Sequence, residues 1–290
     1  MADRSAEDRF DPLLLIFAHP DDEAFGCAGM MAAAADAGAH VALICATRGE
    51  MGDSSVPNLD DPEILGAVRE EELRAAAAAV GVADVRLLDY RDSGMPGSPA
   101  NDHPRALSRA SEALLAARLV VAIRALRPAT VVTFGPDGIY GHPDHLVAHR
   151  TAVAAVELAA DPAFRPELGA TWQTAALYFL AIPRDELLAM FEQRGNPNNG
   201  MGPDMGERMG TPRDEIDTWI DVSPWAERKR RAMVAHLTQT GEGGPIAEVA
   251  EDAMERRLSR ETFARVPLPW TADGRDVVAT IAARHPFRKP

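Results

Sequence analysis

Between residues 13 and 134 the chain alternates short apolar runs with longer stretches of helical length. LLLIFA (13–18), HVALICAT (40–47), VRLLDY (85–90) and ATVVTF (129–134) read as strands, the most apolar of them covered on both faces. GCAGMMAAAADAG (26–38) and LGAVREEELRAAAAAVG (65–81) read as helices closed by Gly38 and Gly81. ALSRASEALLAARLVVAIRALRP (106–128) is a longer helix stopped by Pro128, and another is predicted over 143–160. Four rounds of strand and helix predict an α/β fold, with a parallel sheet flanked by helices on both faces.

Beyond residue 165 the pattern weakens. TAALYFLAI (174–182) and IDTWIDV (216–222) read as strands, and SPWAERKRRAMVAHLTQ (223–239) as a helix with a Ser cap and an early Pro. RGNPNNGMGPDMGERMG (194–210) reads either as a specificity loop near a pocket or as an irregular surface insertion. The expected organisation is a core over 1–165 carrying the functional residues. A less regular α+β extension over 166–290 covers the site within one integrated domain.

Composition narrows the function. The 290 residues carry a formal net charge of −14, which argues against nucleic acid or an anionic membrane as partner. Two cysteines, Cys27 and Cys45, cannot build a disulfide framework and read as small buried residues. The N-terminus MADRSAEDRFDP matches no targeting segment, and no apolar window approaches ~18 residues, as a membrane-spanning helix needs. A soluble, cytoplasmic protein acting on a small molecule is expected, and a homo-oligomer is compatible with the sequence.

The first strand runs straight into His19, Pro20, Asp21, Asp22 and Glu23. Ionisable groups at the end of a buried strand are costly unless paired or bound to a cation. The fourth strand is followed by GPDGIYGHPDHLVAH (135–149). Ligands of parallel sheets bind beyond the carboxyl ends of the strands, so the two loops can meet. Either motif alone has a plainer explanation: HPDD as a helix cap, HPDH as a surface pair. Together they point to a metal site, with His19, Asp22 and His145 as three ligands for Zn²⁺ or Fe²⁺. Asp21 is then free as a base, with His142 on the same side; this equipment suits amide hydrolysis. His149, one turn after His145, is a fourth ligand or a packing residue. The rival HxD…H triad of non-haem iron oxygenases belongs on antiparallel strands and leaves Asp22 and His142 without roles. A dinucleotide site is excluded: GCAG lacks the GxGxxG pattern, and the acidic turn would repel a pyrophosphate.

AHPDDE (18–23) and GHPDH (141–145), with TRGEMG, VREEEL, YRDSGM and KRRAMVAHLTQ between and after them, resemble the PIG-L/LmbE family of metal-dependent de-N-acetylases. The resemblance implies a Rossmann-like, mostly parallel sheet without a nucleotide, and Zn²⁺ or Fe²⁺ on His19, Asp22 and His145. It makes Asp21 the general base and His142, when protonated, the stabiliser of the oxyanion, with Tyr140 assisting. It also implies that Arg69 and Asp92 hold hydroxyls of an amino-sugar substrate, and suggests Glu50 beside them. The implied reaction removes acetyl from an N-acetylglucosaminyl-type substrate. The alternatives are a related amidase for thiol conjugates or antibiotic sugars, an iron oxygenase, or a non-catalytic metal-binding protein.

Overall fold

The computed structural model describes residues 10–82, 84–193, 209–241 and 251–289. Its sheet contains five parallel strands, β1 (Leu13–Phe17), β2 (Val41–Thr47), β3 (Asp84–Tyr90), β4 (Thr130–Phe134) and β5 (Ala176–Leu180). Two antiparallel strands, β6 (Thr218–Asp221) and β7 (Arg260–Val266), complete the order β3-β2-β1-β4-β5-β7-β6. The helices are α1 (Asp22–Asp36), α2 (Pro62–Ala79), α3 (Glu112–Leu126), the irregular turn α4 (Gly138–Gly141) and α5 (Pro143–Ala160). They continue with α6 (Arg184–Gln193), α7 (Ala226–Ala235), α8 (Leu237–Thr240), α9 (Glu251–Ser259) and α10 (Val277–Arg284). Among the described residues no helix is long and apolar enough to cross a membrane.

The apolar strands serve two cores at once. Leu13, Leu15 and Phe17 of β1 join the cluster under α1, α2 and α7; Leu14 and Ile16 join the cluster under α3 and α5. Val41, Leu43 and Cys45 of β2 divide from Ala42, Ile44 and Ala46 in the same way. Each large side chain so buried contributes about 1.5–3 kcal/mol, which is why these runs contain no polar face. Both cysteines are buried and free.

The structure shifts several expected boundaries. α1 begins at Asp22 rather than residue 26, because Asp22 and Glu23 supply an acidic first turn. α2 begins at Pro62, capped by the Asp61 side chain on the Glu63 N–H. Residues 107–109 form a separate 3₁₀ turn, so α3 starts only at Glu112. The helix expected over 223–239 is two helices broken at His236, which has φ −80° and ψ 61°. The stretch 194–210 lies outside the described residues except for Met209 and Gly210.

α1 itself is interrupted at Cys27 (φ −150°, ψ 20°), which releases backbone N–H groups beyond the break. Glu261 of β7 takes two of them, from Gly29 and Met30, each at 2.8 Å. Lys229 of α7 neutralises that carboxylate at 2.6 Å, with both side chains 1% exposed. Gly29 is needed here, since a Cβ would lie 2.5 Å from Val222.

On the opposite face Arg124 closes the carboxyl end of α5. Its guanidinium donates to the carbonyls of Leu158, Ala159, Asp161, Phe164, Arg165 and Gly169 at 2.9–3.2 Å. A cation there also suits the helix dipole. Arg124→Leu is expected to remove about 2–3 kcal/mol of stability. In a thermal melt that corresponds to a Tm lower by roughly 5 °C, with activity unchanged below the transition.

Candidate metal and active site

β1 and β4 are adjacent, and the strand order reverses between them, so the loops leaving both meet over one crevice. The turn after β1 folds back on itself: Asp22 Oδ2 accepts the N–H of Ala18 at 3.2 Å and of His19 at 2.7 Å. Its other oxygen, Oδ1, lies 3.4 Å from His145 Nε2. His19 Nδ1 lies 3.2 Å from His145 Nε2 and 3.8 Å from Asp22 Oδ2.

The far nitrogens of both imidazoles are committed as donors. His145 Nδ1 faces the Gly138 carbonyl at 3.0 Å, and His19 Nε2 faces Asp144 Oδ2 at 3.2 Å. His19 Nδ1 and the Asp22 carboxylate are thereby both turned towards His145 Nε2, at 3.2 and 3.4 Å, with 3.8 Å between His19 Nδ1 and Asp22 Oδ2. Such an arrangement is repulsive unless a proton or a cation sits among them. Tetrahedral ligands at 2.0–2.1 Å from Zn²⁺ stand about 3.3 Å apart, so these spacings fit a divalent ion. The donor contacts behind the imidazoles are those that orient metal-binding histidines. Among the described residues the ring nitrogens of His19, His142 and His145 also lie within 4.8 Å of one another, as do ligand atoms of His19, Asp92 and Asp144. Those sets compete less well, because His142 Nδ1 accepts the Asp144 N–H at 3.2 Å and His19 Nε2 is a donor.

The electrostatics agree with a site short of positive charge. Burial alone would lower the His19 pKa, but Asp92, Asp144 and Asp22 hold it well above the usual histidine value. Burial, reinforced by Asp21 and Glu23, raises Asp22 to about 7 against the pull of His19. Burial and then His19 push His142 down to about 4 and His145 well below its usual value. Burial and His19 thus favour the neutral form of His142. With Nδ1 accepting the Asp144 N–H, its proton sits on Nε2, free to donate.

The other expected residues surround this point, though not as free hands. Asp21 has φ 112° and ψ −29°, a left-handed backbone that L-residues rarely adopt. Arg69, 3% exposed, donates to the Pro20 carbonyl, to Gly49 O at 2.8 Å and to Asp21 Oδ2 at 3.1 Å. Asp92 is 3% exposed; it accepts from Gly94 and Met51 and stands 3.5 Å from His19 Nε2. Glu50 accepts the Asp92 N–H at 3.1 Å. Tyr140 packs with its ring 5.1 Å from that of His145, next to Ile139 at φ 65°. His149 turns Nδ1 to the Phe134 carbonyl at 2.9 Å and packs its ring against Phe179, with the ring centroids 4.9 Å apart.

The GlcNAc-PI de-N-acetylase (PIG-L) family matches residues 14–156. A 1D-myo-inositol 2-acetamido-2-deoxy-α-D-glucopyranoside deacetylase of Catenulispora acidiphila is 43% identical over 80% of this chain and 76% of its own length. The chain belongs to the PIG-L family. Among solved structures, the N,N'-diacetylchitobiose deacetylase of Pyrococcus horikoshii superposes with a TM-score of 0.64 at 20% identity, over 90% of this chain and 85% of the other. The 4-carboxy-2-hydroxymuconate hydratase of Pseudomonas putida KT2440 has a TM-score of 0.60 at 18% identity, over 91% and 99%. The PIG-L fold thus occurs with two named activities, and the structural likeness speaks for the fold alone.

Sequence reasoning placed Asp144 among the converging residues without a role, left His236 as either pocket-lining or packing, and gave no role to Ser93 or Glu23 in this PIG-L chain. Asp144 is fully buried, accepting from both the N–H and the hydroxyl of Ser93 while facing His19. The signal was present in HPDH: a carboxylate between two histidines that itself needs partners. The partner of His236 was not legible locally, because Glu23 lies 213 residues earlier.

Proposed function

We propose that this chain is a metal-dependent N-deacetylase, removing acetate from an N-acetylglucosaminyl-type substrate. In this reading His19, Asp22 and His145 hold a divalent cation, Zn²⁺ or Fe²⁺. The observation that carries it is the approach of His19 Nδ1, His145 Nε2 and the Asp22 carboxylate to within 3.2–3.8 Å of one another at the ends of two adjacent parallel strands. The named activity of the 43% identical relative supports the substrate class.

When bound, the cation would acidify a water and polarise the amide carbonyl. Asp21 is the group placed to take the proton of the attacking water and return it to the leaving amine. Burial raises its pKa above the ordinary carboxylate value while Arg69 opposes, which favours a base that can both accept and give back a proton. Arg69 fixes the carboxylate's direction at 3.1 Å. His142 donates its Nε2–H to the developing oxyanion as a neutral imidazole, with Tyr140 beside it. Asp92, 3.5 Å from His19 Nε2, and Glu50 behind it would reach substrate hydroxyls only by exchanging contacts they already make.

The test is acetate release from 1D-myo-inositol 2-acetamido-2-deoxy-α-D-glucopyranoside and a panel of N-acetylglucosamine conjugates. Metal-stripped protein should be inactive, and refilling with Zn²⁺ or, anaerobically, Fe²⁺ should restore turnover. Turnover unaffected by stripping would overturn the metal-dependent mechanism. Restored turnover confined to thiol conjugates or antibiotic sugars would move the substrate class to an amidase.

A further inference from the structure

We propose that His236 is a positioning residue: acting through Glu23, it holds the backbone of Asp21 in its left-handed conformation. The inference rests on the reading of Asp21 as the base. A residue in so sparsely populated a region is strained and persists only where its surroundings over-determine it. At Asp21 the surroundings can be named. Its carbonyl accepts the N–H groups of Ala24 and Phe25 at 2.9 and 3.1 Å. Its own N–H donates to Glu23 Oε2 at 3.0 Å. Glu23 is 1% exposed, so its carboxylate needs a second partner, and His236 Nε2 meets Oε1 at 2.7 Å. Burial would lower the His236 pKa, but Glu23 and then Asp21 raise it, as expected of a charge-assisted bond.

Two further observations separate this from ordinary packing. His236 is completely buried, and among the described residues its Nδ1 has no hydrogen-bond partner. An orphaned buried nitrogen carries a desolvation cost that an apolar side chain would avoid. The three residues that follow grip the other half of the base's surroundings. Thr238 donates through N and Oγ1 to Glu72, one turn beyond Arg69 on α2, at 2.8 and 2.6 Å. Thr238 O and Leu237 O receive Ser55, each at 2.8 Å, and Gln239 holds the Asp53 carbonyl at 2.9 Å. Residues 236–239 therefore fix Asp21 from its backbone side and the helix of Arg69 from behind. That pairing explains why the helix breaks at His236: a continuous helix would turn these groups away from the site.

The experiment compares His236→Leu, His236→Gln and His236→Asn with the wild type in the metal-loaded protein. Gln can place an amide N–H near the position of Nε2, whereas Asn reaches only as far as Nδ1. We expect kcat to fall roughly 10–100-fold in the Leu and Asn variants, the scale of a small misplacement of a reacting group. KM should stay within about twofold and metal content near wild type, with Gln within about fivefold of wild-type kcat; Tm should fall in Leu, which leaves Glu23 without its partner, so kcat is read well below the transition. Unchanged kcat in Leu, metal loss in step with activity, or Gln no better than Asn would each overturn the proposal. If Leu fails to fold, the Gln and Asn pair decides. Hydrogen exchange of a peptide over 18–25 reads the same claim without turnover: it should accelerate at least about tenfold in Asn, with β4 unchanged. Equal exchange in Asn and wild type would overturn the positioning role. Inactivity of the wild type on every acetylated sugar would instead sink the deacetylase reading and leave the exchange result to stand by itself.

Discussion

Asp21→Asn should lower kcat for acetate release by roughly 10²–10⁴-fold, the usual contribution of a general base, while bound metal stays at the wild-type level. The substitution keeps the shape of the side chain and an oxygen for Arg69, which now binds Asp21 Oδ2 at 3.1 Å. It removes only the ability to accept a proton. Asp21 is not one of the three groups that approach one another; its carboxylate is directed to Arg69. His19→Ala is the counterpart. It removes Nδ1, 3.2 Å from His145 Nε2, and leaves two ligands where a stable catalytic site needs three. Metal content after dialysis should collapse in His19→Ala and persist in Asp21→Asn. Equal loss in both would make Asp21 a ligand and undo the division of roles.

The second large effect concerns stability. Lys229→Met should cost about 3–5 kcal/mol, because it leaves the Glu261 carboxylate buried without its counter-charge. The pair is 2.6 Å apart with both side chains 1% exposed, so water does not screen it. The two N–H groups of α1 at 2.8 Å disperse part of the remaining charge but do not neutralise it. Adding Glu261→Gln to Lys229→Met should recover part of the loss, since a neutral amide needs no cation. Urea unfolding of the three variants measures this directly. A loss under about 1 kcal/mol in the single variant would mean that solvent reaches Glu261.

β1, β2 and β4 were legible because they are buried on both faces and contain little but apolar residues. β7 was not. In RETFARV its buried positions include Glu261 and Thr262, so neither an apolar run nor clean alternation marks it. Its place between β5 and β6 depends on pairing across the whole second half of the chain. The meeting of the HPDD and HPDH loops was legible because both leave neighbouring parallel strands. The state of each group there was not. That the pKa of His142 is lowered follows from burial and from His19 beside it, and that Arg69 grips Asp21 follows from a helix 48 residues away. Spacing within a motif carries neither fact.

The break in α1 also has a consequence for how the protein is made. Every group that converges on the crevice has been synthesised by His145, but the carboxylate that closes the gap at Cys27 arrives only with Glu261. At about 5–20 residues per second, ribosomal elongation separates the two events by roughly ten seconds. During that interval the helix bearing Asp22 emerges with two uncapped amides inside it, and β6 has no neighbour to pair with. A nascent chain can therefore gather its ligands early, yet it locks them in place last.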